Sequence, residues 1–268
     1  MKNLFFLAAV AALVMSGCSR MELAGVSASK YQEIGERFSA VEVEGRIVVE
    51  MSGTDRMIGI TADVNILPYV EVYVRNNTLF VGYDDSVILP SGNYETLVTI
   101  PSSGDLKIIR AYSSAVFRTD MQLESLSPVS LSADSWSRLE FSGISVNELI
   151  LNLSANSDFT ADMVSVSDAS FTLTGSSSAS MNGVIKTCRL MASDFSSLSP
   201  LLLDSGSDYM LEIYDFNCTM NSSSEAWIHS DGYISGSLSS RSRLYYTGSA
   251  LPSVIADDNS DIISKNPY

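Results

Sequence analysis

A serine-rich phrase returns about every twenty residues through the C-terminal two thirds of this 268-residue chain. It reads Ser113-Ser114-Ala115, Ser157-Asp158-Phe159, Ser177-Ser178-Ala179, Ser196-Ser197-Leu198 and Ser239-Ser240-Arg241. Beside the copies run short alternating apolar stretches: Leu149, Leu151 and Leu153; Phe171 and Leu173; Leu190 and Ala192; Leu211 and Ile213; Leu244 and Tyr246. Leu151 to Phe171 is a step of 20 residues, Phe171 to Leu190 of 19, and Leu190 to Leu211 of 21. A strand of three to five residues cannot bury its apolar face alone. Stacked coil on coil at about 4.8 Å, such strands pair in parallel and share one continuous core. The period therefore predicts a right-handed parallel β-helix, with serine at tight corners where its hydroxyl satisfies nearby backbone groups. An antiparallel sandwich would instead show turns about every 8–12 residues and no such self-similarity.

Before Pro101 the character differs. Phe38-Ser39-Ala40-Val41-Glu42-Val43, Val70-Glu71-Val72-Tyr73-Val74 and Thr96-Leu97-Val98-Thr99-Ile100 alternate as half-buried strands do. Between two of them Arg75-Asn76-Asn77-Thr78 reads as a hairpin turn, because asparagine tolerates positive φ. No long stretch keeps a 3.6-residue apolar period between caps. The fold expected is all-β: a hairpin-rich region over residues 37–100 running into serine-rich coils over 101–268, one continuous domain from 37 to 268.

The N-terminus is an address. Lys2 precedes an apolar run from Leu4 to Met15 that is too short to span a bilayer, and Ser16-Gly17 leads into Cys18. This resembles a bacterial lipoprotein signal, which implies cleavage after Gly17, a lipid on Cys18 and a tether over residues 18–36. A lipid anchors a chain without a transmembrane helix. Ser19-Arg20-Met21-Glu22 lacks the acidic run that follows the lipidated cysteine in surface-displayed lipoproteins, which favours the periplasmic face of the outer membrane over the cell surface.

With 31 acidic against 16 basic residues the net charge is −15, which argues against nucleic acid and against adsorption to anionic lipid. Cys188 and Cys218 stand 30 residues apart, about one and a half repeats, so stacked coils bring them out of phase. Two buried small apolar side chains are expected there in preference to a disulfide.

Chemistry is hard to find. His229 is the one histidine, in Trp227-Ile228-His229-Ser230-Asp231. On a strand it shares a side with Trp227 and Asp231 and not with Ser230, so a polar outward histidine is favoured over a triad. Asp204, Asp208 and Asp215 could pair carboxylates for glycoside cleavage, but their spacing selects no pair. Asp257-Asp258-Asn259-Ser260-Asp261 sets oxygens at alternate positions like a calcium loop, yet Ile262 stands where such a loop needs glycine, and a terminal polar turn is favoured. No cofactor motif is present. Trp136, Trp227, Tyr233, Tyr245 and Tyr246 are the candidate ligand-contact aromatics, and of the adjacent Tyr245 and Tyr246 at least one should face outward.

The opening strand at Phe38, the strand pair around a polar turn over Val70 to Val81, the coil repeats, the phrase Ser242-Arg243-Leu244-Tyr245-Tyr246-Thr247-Gly248 and the final Asp257-to-Asp261 turn together resemble the bacterial head GIN domain, an adhesin-head family. The likeness covers about residues 34–265, with Gly175-Ser176-Ser177 nearest to the family's Gly-Ser-Gly turns. It implies adhesion and supplies no catalytic residue. The expectation is a noncatalytic envelope lipoprotein that presents a long polar face to a glycan or protein, with a structural role in the envelope as the alternative and a carbohydrate-active enzyme behind both.

Overall fold

Alternating Val, Ile, Leu and Phe fold into strands throughout the described residues, which are 21–52, 56–201 and 210–266 of the computed structural model. Among them the one helical element is a 3-10 turn, Leu67–Tyr69, and the strands form a β-solenoid of about 7 turns of roughly 20-residue repeats. The N-terminal strands are β1 (Ser27–Glu33), β2 (Ala40–Glu44), β3 (Val48–Met51), β4 (Met57–Asp63), β5 (Val70–Arg75), β6 (Thr78–Tyr83) and β7 (Leu97–Ile100). The hairpin expected at Arg75-Asn76-Asn77-Thr78 joins β5 to β6, with Asn76 and Asn77 at φ of 51° and 63°. Antiparallel pairs β1–β4 and β4–β7 complete the hairpin-like part.

The coils continue as β8 (Ile108–Tyr112), β9 (Val116–Ser125), β10 (Val129–Ala133), β11 (Arg138–Leu153), β12 (Asp158–Leu173), β13 (Ser178–Ala192), β14 (Ser197–Ser199), β15 (Leu211–Met220), β16 (Glu225–His229), β17 (Tyr233–Leu238), β18 (Arg243–Thr247), β19 (Ser253–Ala256) and β20 (Asp261–Ser264). All their mutual pairings are parallel. The parallel stack begins within the N-terminal region, since β2 lies beside β8 and β3 beside β9. One long face runs β2, β8, β10, the second halves of β11 to β13, β15, β17 and β19. Another runs β3, β9, the first halves of β11 to β13, then β14, β16, β18 and β20.

Inward residues form columns. Leu131, Leu151, Phe171, Leu190 and Cys218 follow one another in register. Phe117, Phe141 and Phe159 pack diagonally between two such columns, tilted, with centroids 5.9 and 5.8 Å apart. Two of the expected steps hold, Leu151 to Phe171 and Phe171 to Leu190, but the third does not. Leu190 pairs with Cys218, and Leu211 pairs with Gly183 on a different side of the coil. More residues separate β14 from β15 than separate the two halves of β13, and the alternation of buried faces holds the register beyond them. Leu244 and Tyr246 likewise lie on the β18 face, beside Ala226 and Ile228, apart from the Leu151 column.

The longer coil also resets the cysteines. Cys188 pairs with Phe216 and Cys218 with Leu190, so they are offset by one inward step on neighbouring coils, closer than a repeat and a half suggests. Both are buried free thiols, as expected from small apolar side chains.

The serine phrase is the corner. From Ser113 to Arg241 each corner of this series carries two consecutive residues in the left-handed region: Ser113-Ser114, Ser135-Trp136, Ala155-Asn156, Gly175-Ser176, Asp194-Phe195, Ser222-Ser223 and Ser240-Arg241. The backbone N–H of the second donates to the carbonyl of the first on the next coil, as Asn156 does to Gly175 at 2.7 Å and Ser176 to Asp194 at 2.7 Å. The residue after each pair points inward, giving a buried column of Ala115, Ser137, Ser157, Ser177, Ser196, Ser224 and Ser242. Apart from that of Ser137, its hydroxyls donate back to the carbonyl three residues earlier, Ser157 to Ser154 and Ser177 to Thr174 at 2.7 Å each, and Ser177 also accepts the Ser157 N–H of the preceding coil at 3.4 Å. Serine is small enough for the bend and satisfies the backbone the bend leaves open.

Candidate ligand-binding surface

The outward side chains of the β14–β16–β18–β20 face carry the aromatic cluster. Trp227 on β16 and Tyr245 on β18 are registered partners, and their rings stack at a centroid distance of 3.8 Å with 16° between planes. The Lys265 ammonium sits over both, 5.9 Å from the Trp227 centroid and 5.4 Å from that of Tyr245. Tyr246 pairs with Ile228 and packs partly buried against the core, so of the two adjacent tyrosines Tyr245 is the one that faces outward. Tyr233 opens β17 beyond the next corner, edge-on to Tyr214 at 6.5 Å. Trp136 stands several coils away at the second corner position, 67% exposed and at φ 67°. Phe195, which the sequence reading passed over, holds the matching corner position at φ 65°. Bulky residues in that region are uncommon and strained. The structure thus gathers Trp227 and Tyr245 and leaves Trp136 and Tyr233 elsewhere.

Two rows flank the stack. On one side Arg243 binds the Glu225 carboxylate at 3.2 Å, across registered positions. On the other, His229 Nδ1 is 2.9 Å from the Thr247 hydroxyl and Nε2 is 3.5 Å from Asp231. Asp231 also accepts from the Ser249 N–H at 2.7 Å, and that bond, with the Ser249 hydroxyl, holds its carboxyl below the usual range. The Ser230 hydroxyl turns away to the Tyr214 carbonyl at 3.3 Å. His229, Ser230 and Asp231 therefore make no relay, and the imidazole is a surface polar group as alternation requires.

A second feature was missed in the sequence. Glu50, Asp120, Glu140 and Asp162 line a shallow groove with Arg118, which pairs with Glu50. These acids lie on successive coils at spacings unrelated to any motif, so coil register alone reveals them. Asp204 and Asp208 lie outside the described residues, as does Cys18, and Asp215 stands beside Tyr233 and Thr187. Asp257-Asp258-Asn259-Ser260-Asp261 forms the last corner: Asp257 accepts from the Ser240 N–H at 2.8 Å and the Asn259 N–H at 3.2 Å. Among the described residues no group of three or more His, Cys, Asp or Glu is placed to hold a metal ion. No helix among them is long and apolar enough to cross a membrane.

The chain resembles a solved structure titled a "putative adhesin" from Parabacteroides merdae, with TM-score 0.74 and 18% identity over 92% of this chain and 99% of that one. A "putative lipid binding protein" from Parabacteroides distasonis aligns with TM-score 0.77 and 15% identity over 92% and 99%. A "putative adhesin" from the same organism aligns at 0.76 and 16%, over 92% and 100%. At such identities the likeness is one of fold. No curated relative matches the sequence. The family described as "Putative auto-transporter adhesin, head GIN domain" matches residues 37–250, most of the solenoid, and the chain belongs to that family.

Proposed function

We propose that this chain is a noncatalytic adhesin head of the cell envelope, tethered by a lipid on Cys18 and binding a glycan or protein ligand through the face that bears Trp227. The observation that carries the reading is the exposed Trp227–Tyr245 stack on a long parallel sheet whose other outward positions are mostly charged residues, Ser and Thr. Binding surfaces concentrate their energy in such aromatic anchors surrounded by polar rim. The Ser230 hydroxyl points away from His229 to the Tyr214 carbonyl, so the neighbouring Ser, His and Asp form no relay, which supports the noncatalytic part. The lipid-binding label of one structural relative belongs to that protein. In this chain Phe117, Phe141 and Phe159 fill the coil interior, which favours an external ligand over an acyl chain lodged within.

Two measurements test the reading. Replacing Cys18 with Ala should move the protein from the membrane to the soluble fraction; continued membrane fractionation would refute the anchor. A glycan panel together with an envelope-protein pull-down, using the soluble chain from Ser19, should return a ligand, and silence in both would sink the binding role.

A further inference from the structure

Trp227 is stacked on one face only. It and Tyr245 hold registered positions on successive coils, so their stack runs along the solenoid axis. The opposite indole face turns toward the preceding coils. Ser197 pairs with Glu225 and Leu198 with Ala226, which brings Ser199 in line with Trp227. Ser180 and then Thr160 continue that line. These side chains are too short to cover an indole, and Trp227 stays 38% exposed. Beyond the ring edge the Ser180 and Ser199 hydroxyls lie 3.2 Å apart. The Glu225 carboxylate is steadied by Arg243 one row to one side, and the His229 imidazole by Thr247 one row to the other.

An open aromatic face ringed by hydroxyl, carboxylate and imidazole matches a pyranose, whose C–H face stacks while its hydroxyls bond at the rim. Because the indole face looks along the axis, a sugar stacked on it lies across the axis, with its chain running along the strand direction past the rows of Glu225 and His229. Charge narrows the class: around the stack Glu212, Glu225, Asp231 and Asp261 outnumber Arg243 and Lys265, on a chain of net charge −15. That field repels uronic, sialic or sulfated glycans.

We propose that the free face of Trp227, with Glu225 and His229 at its sides and Ser199 in line before it, is a subsite for a neutral oligosaccharide laid across the solenoid axis. The inference rests on the binding-module reading and names its ligand class.

The test is direct binding of the soluble chain from Ser19 to immobilised neutral oligosaccharides (β-glucan, chito- and manno-oligosaccharides) and to sialylated and sulfated ones. Neutral glycans should bind. Trp227→Ala should weaken binding about thirtyfold, the scale of a lost aromatic anchor, and Tyr31→Ala, on the exposed β1 strand, should leave it unchanged. Ser199→Arg keeps the indole and covers its free face, so it should weaken binding as strongly even if Trp227→Ala proved unstable. Unchanged binding in Ser199→Arg, preference for anionic glycans, or capture of a protein ligand with no glycan bound would overturn this inference and leave the adhesin reading standing. Absence of both glycan and protein ligands would overturn both.

Discussion

Ser177 and Ser137 occupy the same inward corner position, yet their hydroxyls differ. Ser177 donates to the Thr174 carbonyl at 2.7 Å, whereas the buried Ser137 hydroxyl has no partner among the described residues. Removing a partnered buried hydroxyl costs about 1–2 kcal/mol, and removing an unpartnered one costs little. Ser177→Ala should therefore lower the urea midpoint measurably, and Ser137→Ala should leave it unchanged or raise it, since Ala115 already fills the same position without a hydroxyl. Equal losses would show that the bonds of the ladder contribute nothing. The cysteines are legible at this scale too. Burial pushes the Cys188 thiol up, with Cys218 nearby adding to it, and pushes Cys218 up to about 12. Because thiolate is the reactive form, a thiol reagent should label neither in the folded chain from Ser19 and both after denaturation. Prompt labelling of the native protein would contradict their burial.

At the element scale, a hairpin and a coil differ in how much local sequence reveals. Asn76 and Asn77 announce their turn because both must adopt positive φ, a local property. Coil register is not local. The step from Leu190 to Leu211 fits the period of the sequence but not the sheet, because more residues separate β14 from β15 than separate the two halves of β13. Glycine shows the same contrast. Gly236 in β17 has φ +133°, and a Cβ there would lie 1.8 Å from the Cys218 carbonyl oxygen. Gly104, in a loop, has nothing within 4 Å. Gly236→Ala should thus cost upwards of about 3 kcal/mol, through strain and a forced shift of β15, while Gly104→Ala should be neutral. Thermal melts of the two variants decide this, and similar melting temperatures would refute the close coil contact.

Across the whole molecule the depressed carboxyls set an acid limit. Asp63 is held low first by the Asn65 N–H, with Ala24 and Gly25 also donating; Asp231 by Ser249; Asp257 by Ser240. Each folded value lies below the unfolded one of about 3.9. The unfolded chain therefore takes up protons first, and the stabilisation is present above about pH 4 and lost as pH falls through the depressed values. Asp158, raised by burial, works in the opposite sense. Melting temperature should be flat near neutrality and drop below about pH 4, and Asp63→Asn should remove part of the drop. Asp63 also clasps the segment before β1, donated to by Gly25 at 2.8 Å, so acid should expose that segment to proteolysis. A melting temperature steady down to pH 3 would refute the role of these carboxylates.

The amino-acid sequence determined what depends on neighbours along the chain: alternation that makes strands, Ser, Asn and Gly corners that bend them, and a period near twenty that stacks them. It also nominated the aromatics, but by type. Only the tertiary structure decided that Trp227 meets Tyr245 across eighteen residues of chain, while Trp136 and Tyr233 stand apart. The reason is physical. Which side chains share an outward row depends on how many residues each coil spends at its corners, and that count is set by hydrogen-bond register and core packing summed around the whole turn.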